Sequence, residues 1–330
     1  MQARRFLLGM LAGLLLVPLV LAVTILMLDR LDRLKAPTFS NRATLDEKLR
    51  FIRHRDGPSV DLLLLGSSTT LWGVDGEAFE RLWPQRTALN VGVRDLKIHQ
   101  ATDLADLYLD LMPDVRDVVM VATLLDFESC APDSAKMLDH AAARAYAIGE
   151  TGELRAQFGE LDPLGVLRSA VVIADLRDLP ATSPDSLHFD RIGSILLDLP
   201  RQAVPDLVWR GSMPPPDERC HAALGDLSRI LDRRGVTFTL VIAPMRPGYL
   251  DAHDPDGTHF ADHRARLAAI ASADGFLLVD AHDALALPES AFFDAYHLRA
   301  PITRELTEWI IIQLKMRISR MDNNMKGLLH

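Results

Sequence analysis

Five strand-like runs alternating with helical patterns constrain this chain more than any other feature. The runs cover residues 60–65, 87–91, 117–123, 236–243 and 276–280, and they are apolar and rich in β-forming residues. Such continuous apolar runs fit strands buried on both faces rather than half-solvated ones. Helical patterns lie between them at 75–83, 96–112, 221–234 and 259–273, and another over 301–318 closes the chain. Repeated strand-helix-strand units build a parallel sheet with helices on its faces and right-handed crossovers. The expected fold is therefore α/β, a three-layer α/β/α sandwich with a five-stranded, mainly parallel sheet over residues 58–320.

The first run ends in Gly66-Ser67-Ser68, and the far end of the chain carries Asp294-Ala295-Tyr296-His297. A buried strand that ends in a tight turn exposes a small hydroxyl at the carboxyl edge of the sheet, where ligands of such folds bind. Asp294 and His297 sit on a short loop just before a helix, so one segment can present both an acid and an imidazole to a serine. A serine is a weak nucleophile until a base takes its proton, and an imidazole with an ordinary pKa of about 6.5 suits that task. Taken alone, each of these residues reads as a turn, cap or helix-start residue. Their combination carries the functional reading.

Four segments in order resemble the SGNH (GDSL-like) hydrolase superfamily. Gly66-Ser67-Ser68 resembles its first block, with Ser68 at the nucleophile place and Ser67 where many members have Asp. Asn90-Val91-Gly92 resembles the second, residues 118–123 match the third in position, and Asp294 with His297 match the final Asp-x-x-His. The resemblance covers roughly residues 58–127 and 221–318. It implies a triad of Ser68, Asp294 and His297, an oxyanion hole built from the backbone N–H groups of Ser68 and Gly92, and an acyl-serine intermediate without a cofactor. It further implies a place among membrane-anchored O-acyltransferases and esterases. Their substrate would be an acylated carbohydrate, with acetyl groups on an envelope polysaccharide or exopolysaccharide. A partner membrane acyltransferase would supply the acyl groups. The different-class alternative is a non-catalytic carbohydrate-binding or assembly component of a polysaccharide modification or secretion complex.

One departure matters. The family's third block ends in an Asn that donates to the oxyanion, whereas this chain reads Ala122-Thr123-Leu124-Leu125-Asp126. Leu125 has no side-chain donor and an ionised Asp126 only accepts. Loss of one such donor costs about 10² to 10³ in rate. Asp126 is read here as the cap of a following helix, and Asn90 as structural.

Residues 6–28 form a run of 23 without a charge, between Arg4-Arg5 and Asp29-Arg30. About 20 apolar residues span a bilayer core, and the run is longer than the roughly 7 to 15 residues of a signal peptide's apolar region. Residues 1–34 are therefore expected to be an uncleaved signal anchor, single-pass in a bacterial inner membrane. Flanking Lys and Arg are nearly balanced, so the periplasmic placement of the catalytic domain follows from the short N-terminal tail and the resemblance. Residues 35–57 read as a juxtamembrane linker with a helical pattern at 45–52, and 321–330 as a tail. A net charge of −9 argues against nucleic acid as a partner.

Residues 130–217 interrupt the strand-helix rhythm as a helical insertion. It has patterns at 141–158 and 164–176 and a proline-rich exit, Met213-Pro214-Pro215-Pro216. It reads either as a lid or acceptor-binding cap, or as a packing or dimerisation element. Cys130 and Cys220 would form one disulfide in an oxidising compartment or remain two free thiols. His253, His259 and His263 with Asp254, Asp256 and Asp262 make a polar cluster without the Glu of a His-Glu-x-x-His zinc motif, so no metal is expected. Arg246, just past the fourth run, is the candidate contact for an anionic or sugar substrate.

Overall fold

The computed structural model describes residues 2–31, 33–130, 137–157, 163–198, 213 and 215–328. In chain order the elements are α1 (Gln2–Arg30), α2 (Ala43–Arg53), β1 (Leu62–Leu64), α3 (Ser68–Trp72), α4 (Gly76–Leu82), β2 (Ala88–Asn90), α5 (Ile98–Leu111), β3 (Asp117–Ala122), α6 (His140–Ala147), α7 (Glu153–Gln157) and α8 (Pro163–Arg177). They continue with α9 (Glu218–Arg233), β4 (Thr237–Ile242), α10 (Pro247–His253), α11 (Thr258–Asp274), β5 (Leu277–Asp280), α12 (Ala281–Leu285) and α13 (Ala300–Leu328). Two compact units result: residues 1–53 with 138–180, and residues 54–137 with 181–330.

The second unit is the α/β sandwich. Its five strands are all parallel in the order β2-β1-β3-β4-β5. Leu62 and Leu64 of β1 share a buried cluster with Val119 and Val121 of β3, Phe79 of α4, and Leu306, Ile310 and Leu314 of α13. Leu63 lies between them and points to the opposite face, while α9 packs against both α5 and α11. Each strand is only three to six residues long, yet β1 and β3 are almost wholly withdrawn from water. That explains why they read as unbroken apolar runs rather than alternating ones. The chain winds outward from β1 to β2, then crosses back to β3. The crevice between the carboxyl ends of β1 and β3 is therefore the switch point where such sheets take ligands.

In the first unit, α1 holds an apolar stretch, Gly13–Arg30, long enough to cross a membrane. Its side chains from Leu14 to Val20 stand mostly exposed, whereas Ile25 is buried with Leu34, Val166 and Ala170. Within this unit Arg50 pairs with Glu153 at 3.0 Å and Arg177 with Glu47 at 3.1 Å. The helix expected over 141–158 is instead two, α6 and α7. Gly149 between them takes φ +82°, a left-handed conformation that ends a helix and that glycine adopts at little cost. Phe158 of that expected helix, residues 199–212 and Pro214 of the proline-rich exit lie outside the described residues.

The segment expected as a single insertion divides: residues 138–180 belong to the first unit and 181–198 to the second. At the C-terminus the closing helix runs on through Leu328, because no proline interrupts residues 319–328. Cys130 and Cys220 are joined in a disulfide across 90 residues of sequence, both buried in the second unit.

Candidate active site

β1 delivers the first residue of the site. Leu65 N–H donates to Val119 O at 3.0 Å, which keeps the chain on the sheet up to Gly66. A Cβ at Gly66 would lie 2.2 Å from Thr70 Oγ1, so only glycine lets the turn fold back this tightly. Thr70 Oγ1 donates to Val121 O at 2.9 Å and accepts from Val121 N at 3.1 Å, fastening the turn to β3. Ser67 caps α3, its hydroxyl accepting from Thr69 N at 3.1 Å, and Ser68 becomes the first helical residue.

The loop after β5 delivers the other two. An isolated bridge between Phe292 and Leu298, with Phe293 N–H donating to His297 O at 2.7 Å, closes residues 292–298 into a small hairpin. Within it, Asp294 Oδ1 accepts from Tyr296 N at 3.0 Å and His297 N at 2.8 Å, which aims the other carboxylate oxygen at the ring. His297 Nδ1 lies 2.7 Å from Asp294 Oδ2, and its Nε2 lies 2.9 Å from Ser68 Oγ. Ser68 and His297 are buried, and the Trp72 ring stands edge-on to the imidazole with centroids 4.4 Å apart. Phe292 is core, and Phe293 packs on Leu71, Trp72, Ile195 and Leu197.

Burial pushes the Asp294 carboxyl up. The His297 ring and the N–H groups of Tyr296 and His297 outweigh that, so the carboxyl is held below its usual range. An ionised Asp294 accepts from Nδ1–H and leaves the Nε2 lone pair facing the Ser68 hydroxyl. This is the tautomer a general base needs.

Two expectations meet a different geometry. The Gly92 N–H donates to Asn90 Oδ1 at 2.9 Å and is committed there rather than aimed at an oxyanion. Glycine is required at this position for space: a Cβ would sit 2.7 Å from Leu71 N and 2.9 Å from Asn90 Oδ1. Asn90 is indeed structural, its Nδ2 donating to Thr70 O at 2.9 Å and Ser194 Oγ at 2.8 Å. The Ser68 N–H, in the first turn of α3, has no acceptor among the described residues.

Asp126 does not cap a following helix. It stands at the third position of a 3-10 turn, Leu124–Phe127, and its Oδ2 accepts from Thr123 N at 2.8 Å, so it reaches back to the residue that starts its own turn. The sequence alone gave no sign that Thr70, Ser194 and Trp72 would brace the nucleophile turn, because all three act across contacts distant in sequence.

Arg246 lies on the same edge of the sheet. Its N–H donates to Ala295 O at 2.9 Å, and its guanidinium pairs with Glu289, whose carboxylate also takes the Gly248 N–H. The polar cluster at 253–263 is dispersed. Asp254 caps α11 through His259 N and Phe260 N, and His253 stacks on Tyr249. His263 is buried against His221, the two rings 3.2 Å apart between nitrogens.

No family model matches this chain. No curated protein matches it either. Among solved structures the chain is similar to one described as a "putative acylhydrolase" from Bacteroides fragilis NCTC 9343. The TM-score is 0.42 and the identity 11%, over 82% of this chain and 94% of that one.

Proposed function

We propose that this protein is a membrane-anchored serine O-acyltransferase or esterase of SGNH type. Its substrate would be acyl groups, most simply acetyl, carried by an envelope or exported polysaccharide. One observation carries the reading: the hydrogen-bonded chain from Ser68 through His297 to Asp294 at the switch point of the sheet. In this reading Ser68 Oγ attacks the acyl carbon while His297 Nε2 takes its proton. The imidazolium, stabilised by Asp294, then protonates the departing alkoxide. The Ser68 N–H is the backbone donor to the oxyanion. A sugar hydroxyl or water, deprotonated by His297, attacks the acyl-serine and regenerates the enzyme.

Location is supported by two features. An apolar helix near the N-terminus supplies the anchor. The Cys130–Cys220 disulfide within the catalytic unit favours an oxidising compartment, the periplasmic side of an inner membrane. The carbohydrate and the partner membrane acyltransferase that would hand over acetyl groups are proposed from this location and from the sequence resemblance.

A second reading has its own supporting observation. The Gly92 N–H is spent on Asn90, and Leu124 and Leu125 offer no side-chain donor, which fits a silent carbohydrate-binding or assembly component. Intact-mass analysis separates the two. Full-length protein in detergent is incubated with an activated acetyl ester, alongside Ser68→Ala and His297→Ala. The enzyme reading expects a single acetyl adduct that is absent in Ser68→Ala and slowed in His297→Ala. Folded protein that gives no adduct, no ester turnover and no reaction with a serine-directed phosphonate favours the silent component.

A further inference from the structure

A second acid stands beside the nucleophile turn, and the mechanism above does not use it. Asp126 is buried, 8% exposed, in the 3-10 turn that follows β3, within reach of the nucleophile turn through Thr69. Its Oδ2 accepts from Thr123 N at 2.8 Å and lies 3.5 Å from Thr69 Oγ1, the outer limit of a hydrogen bond. Thr69 Oγ1 is in turn 3.2 Å from Ser67 Oγ. The two hydroxyls flanking Ser68 in sequence thus form a short relay that ends on this carboxyl.

The groups facing Asp126 decide which form it holds. From the start of α5 comes Lys97, whose ammonium is committed to Glu128 at 2.8 Å and Leu125 O at 3.1 Å. From the hairpin after β5 comes His297, whose Nδ1 belongs to Asp294. From α3 and β3 come only the hydroxyls of Ser67, Thr69 and Thr123. A buried carboxylate with one backbone donor, two threonine hydroxyls at the limit of contact and no committed cation is poorly compensated for the water it has lost. We propose that Asp126 is a positioning residue for the nucleophile turn that works as a neutral acid, tying the hydroxyls beside Ser68 to the end of β3 without placing a second anion next to His297.

This rests on the serine-enzyme reading and adds a specific part to it. Acylation puts positive charge on His297 and negative charge on the acyl oxygen. A second anion beside them would hold the base protonated between turnovers and oppose the oxyanion. As a neutral acid, Asp126 keeps an O–H to donate, which the anion lacks. Its electrostatics agree: burial drives the carboxyl up, and the nearby Ser67 hydroxyl, the Thr123 N–H and the charges of Lys97 and His297 do not offset it.

The test compares Asp126→Asn and Asp126→Leu with the wild type, full-length in detergent, by two readouts. The first is the pH profile of activated-ester turnover. Asp126→Asn, which keeps an acceptor for Thr123 and gains an N–H, should stay within about threefold of wild type at the pH where wild-type turnover is greatest. It should hold its rate where wild type declines as the pH rises and Asp126 ionises. Asp126→Leu should fall at least about tenfold. The second readout is the His297 imidazole titration by NMR, which does not depend on activity. Its midpoint should be the same in wild type and Asp126→Asn. A lower midpoint in Asp126→Asn would mean an anion had been removed, and that overturns the proposal. An Asn variant as slow as the Leu variant overturns it too. If Asp126→Leu does not fold, the Asn profile and the titration still decide. Turnover that survives Ser68→Ala in the same assay removes the serine-enzyme reading instead, and the His297 titration alone then judges the state of Asp126.

Discussion

The loop after β5 and the turn after β3 bring two aspartates to the same edge of one sheet, and the chain treats them in opposite ways. Asp294 receives two backbone N–H groups on one oxygen and the imidazole on the other. Asp126 receives one backbone N–H, with the hydroxyls of Thr69 and Thr123 at the limit of contact. Both are largely withdrawn from water, so depth alone does not separate them. The donors supplied to each oxygen do: the first carboxyl is held below its usual range and the second is driven above it. Acids whose environments push them apart in this way take different roles.

The largest expected effect lies on the Asp294 side. Asp294→Asn leaves the shape of the hairpin but offers His297 a donor or a neutral acceptor, favouring the wrong tautomer. A loss of about 10⁴-fold in kcat for an activated ester follows, roughly 5.5 kcal/mol. The same change at Asp126 should cost about threefold or less. Steady-state kinetics on both variants measures the contrast, and comparable losses would erase the distinction between the two acids.

The next effect concerns how each loop is held. The hairpin at 292–298 is braced by its own hydrogen bonds, whereas the chain just past Asp126 is pinned by Cys130 to Cys220, at the start of α9. Opening a loop of that size should cost about 4 kcal/mol. The double change Cys130→Ser and Cys220→Ser is therefore expected to lower Tm. In hydrogen exchange, residues 123–130 should lose more protection than residues 292–298. Equal loss in the two segments would mean that the disulfide serves the whole unit and not the β3 side.

How much of this could be read from the sequence follows from the same contrast. Asp294 and His297 are three residues apart, so the carboxylate-imidazole pairing is local and visible as a motif. The five-stranded parallel sheet is legible as well, because its strands fall in apolar, β-forming runs, nearly unbroken at the central β1 and β3, separated by helical patterns. Asp126 reads in sequence as a cap because the turn that holds it, Leu124–Phe127, is too short to show a period of its own, and the groups around it come from α3, α5 and the hairpin. Gly92 is hard to read for a related reason. A glycine demanded by the close approach of Leu71 looks the same in sequence as one that frees an N–H for an oxyanion. The division of residues 138–198 between two units was hidden because it depends on tertiary packing of helices and not on their periodicity.

Gly92→Ala sharpens that correction. An added methyl meets Leu71 N at 2.7 Å, and strain of about 1 to 3 kcal/mol should appear as a lower Tm with α3 displaced. The backbone N–H itself survives the substitution. Activity should therefore fall through the displaced Ser68, seen as slower phosphonate labelling together with lost stability. Slower labelling at unchanged Tm would instead return Gly92 to the oxyanion hole.

The smallest effect is the dependence of stability on pH, and the two acids contribute with opposite signs. Asp294 has a folded pKa below its unfolded value of about 3.9. Its contribution is complete above that value and is lost as the pH falls through the folded pKa. Asp126 has a folded pKa above its unfolded value. The folded state then binds more protons than the unfolded one, so stability drains away as the pH rises from about 4 through the folded pKa and is level beyond it. Asp126→Asn removes that drain. Its Tm should exceed that of wild type at pH 8 and converge on it near pH 4, whereas Asp294→Asn should lose most near neutrality and least in acid. A Tm difference for Asp126→Asn that stays constant from pH 4 to 8 would mean that Asp126 does not change its charge state on folding. The opposition between the two loops would then be one of geometry alone.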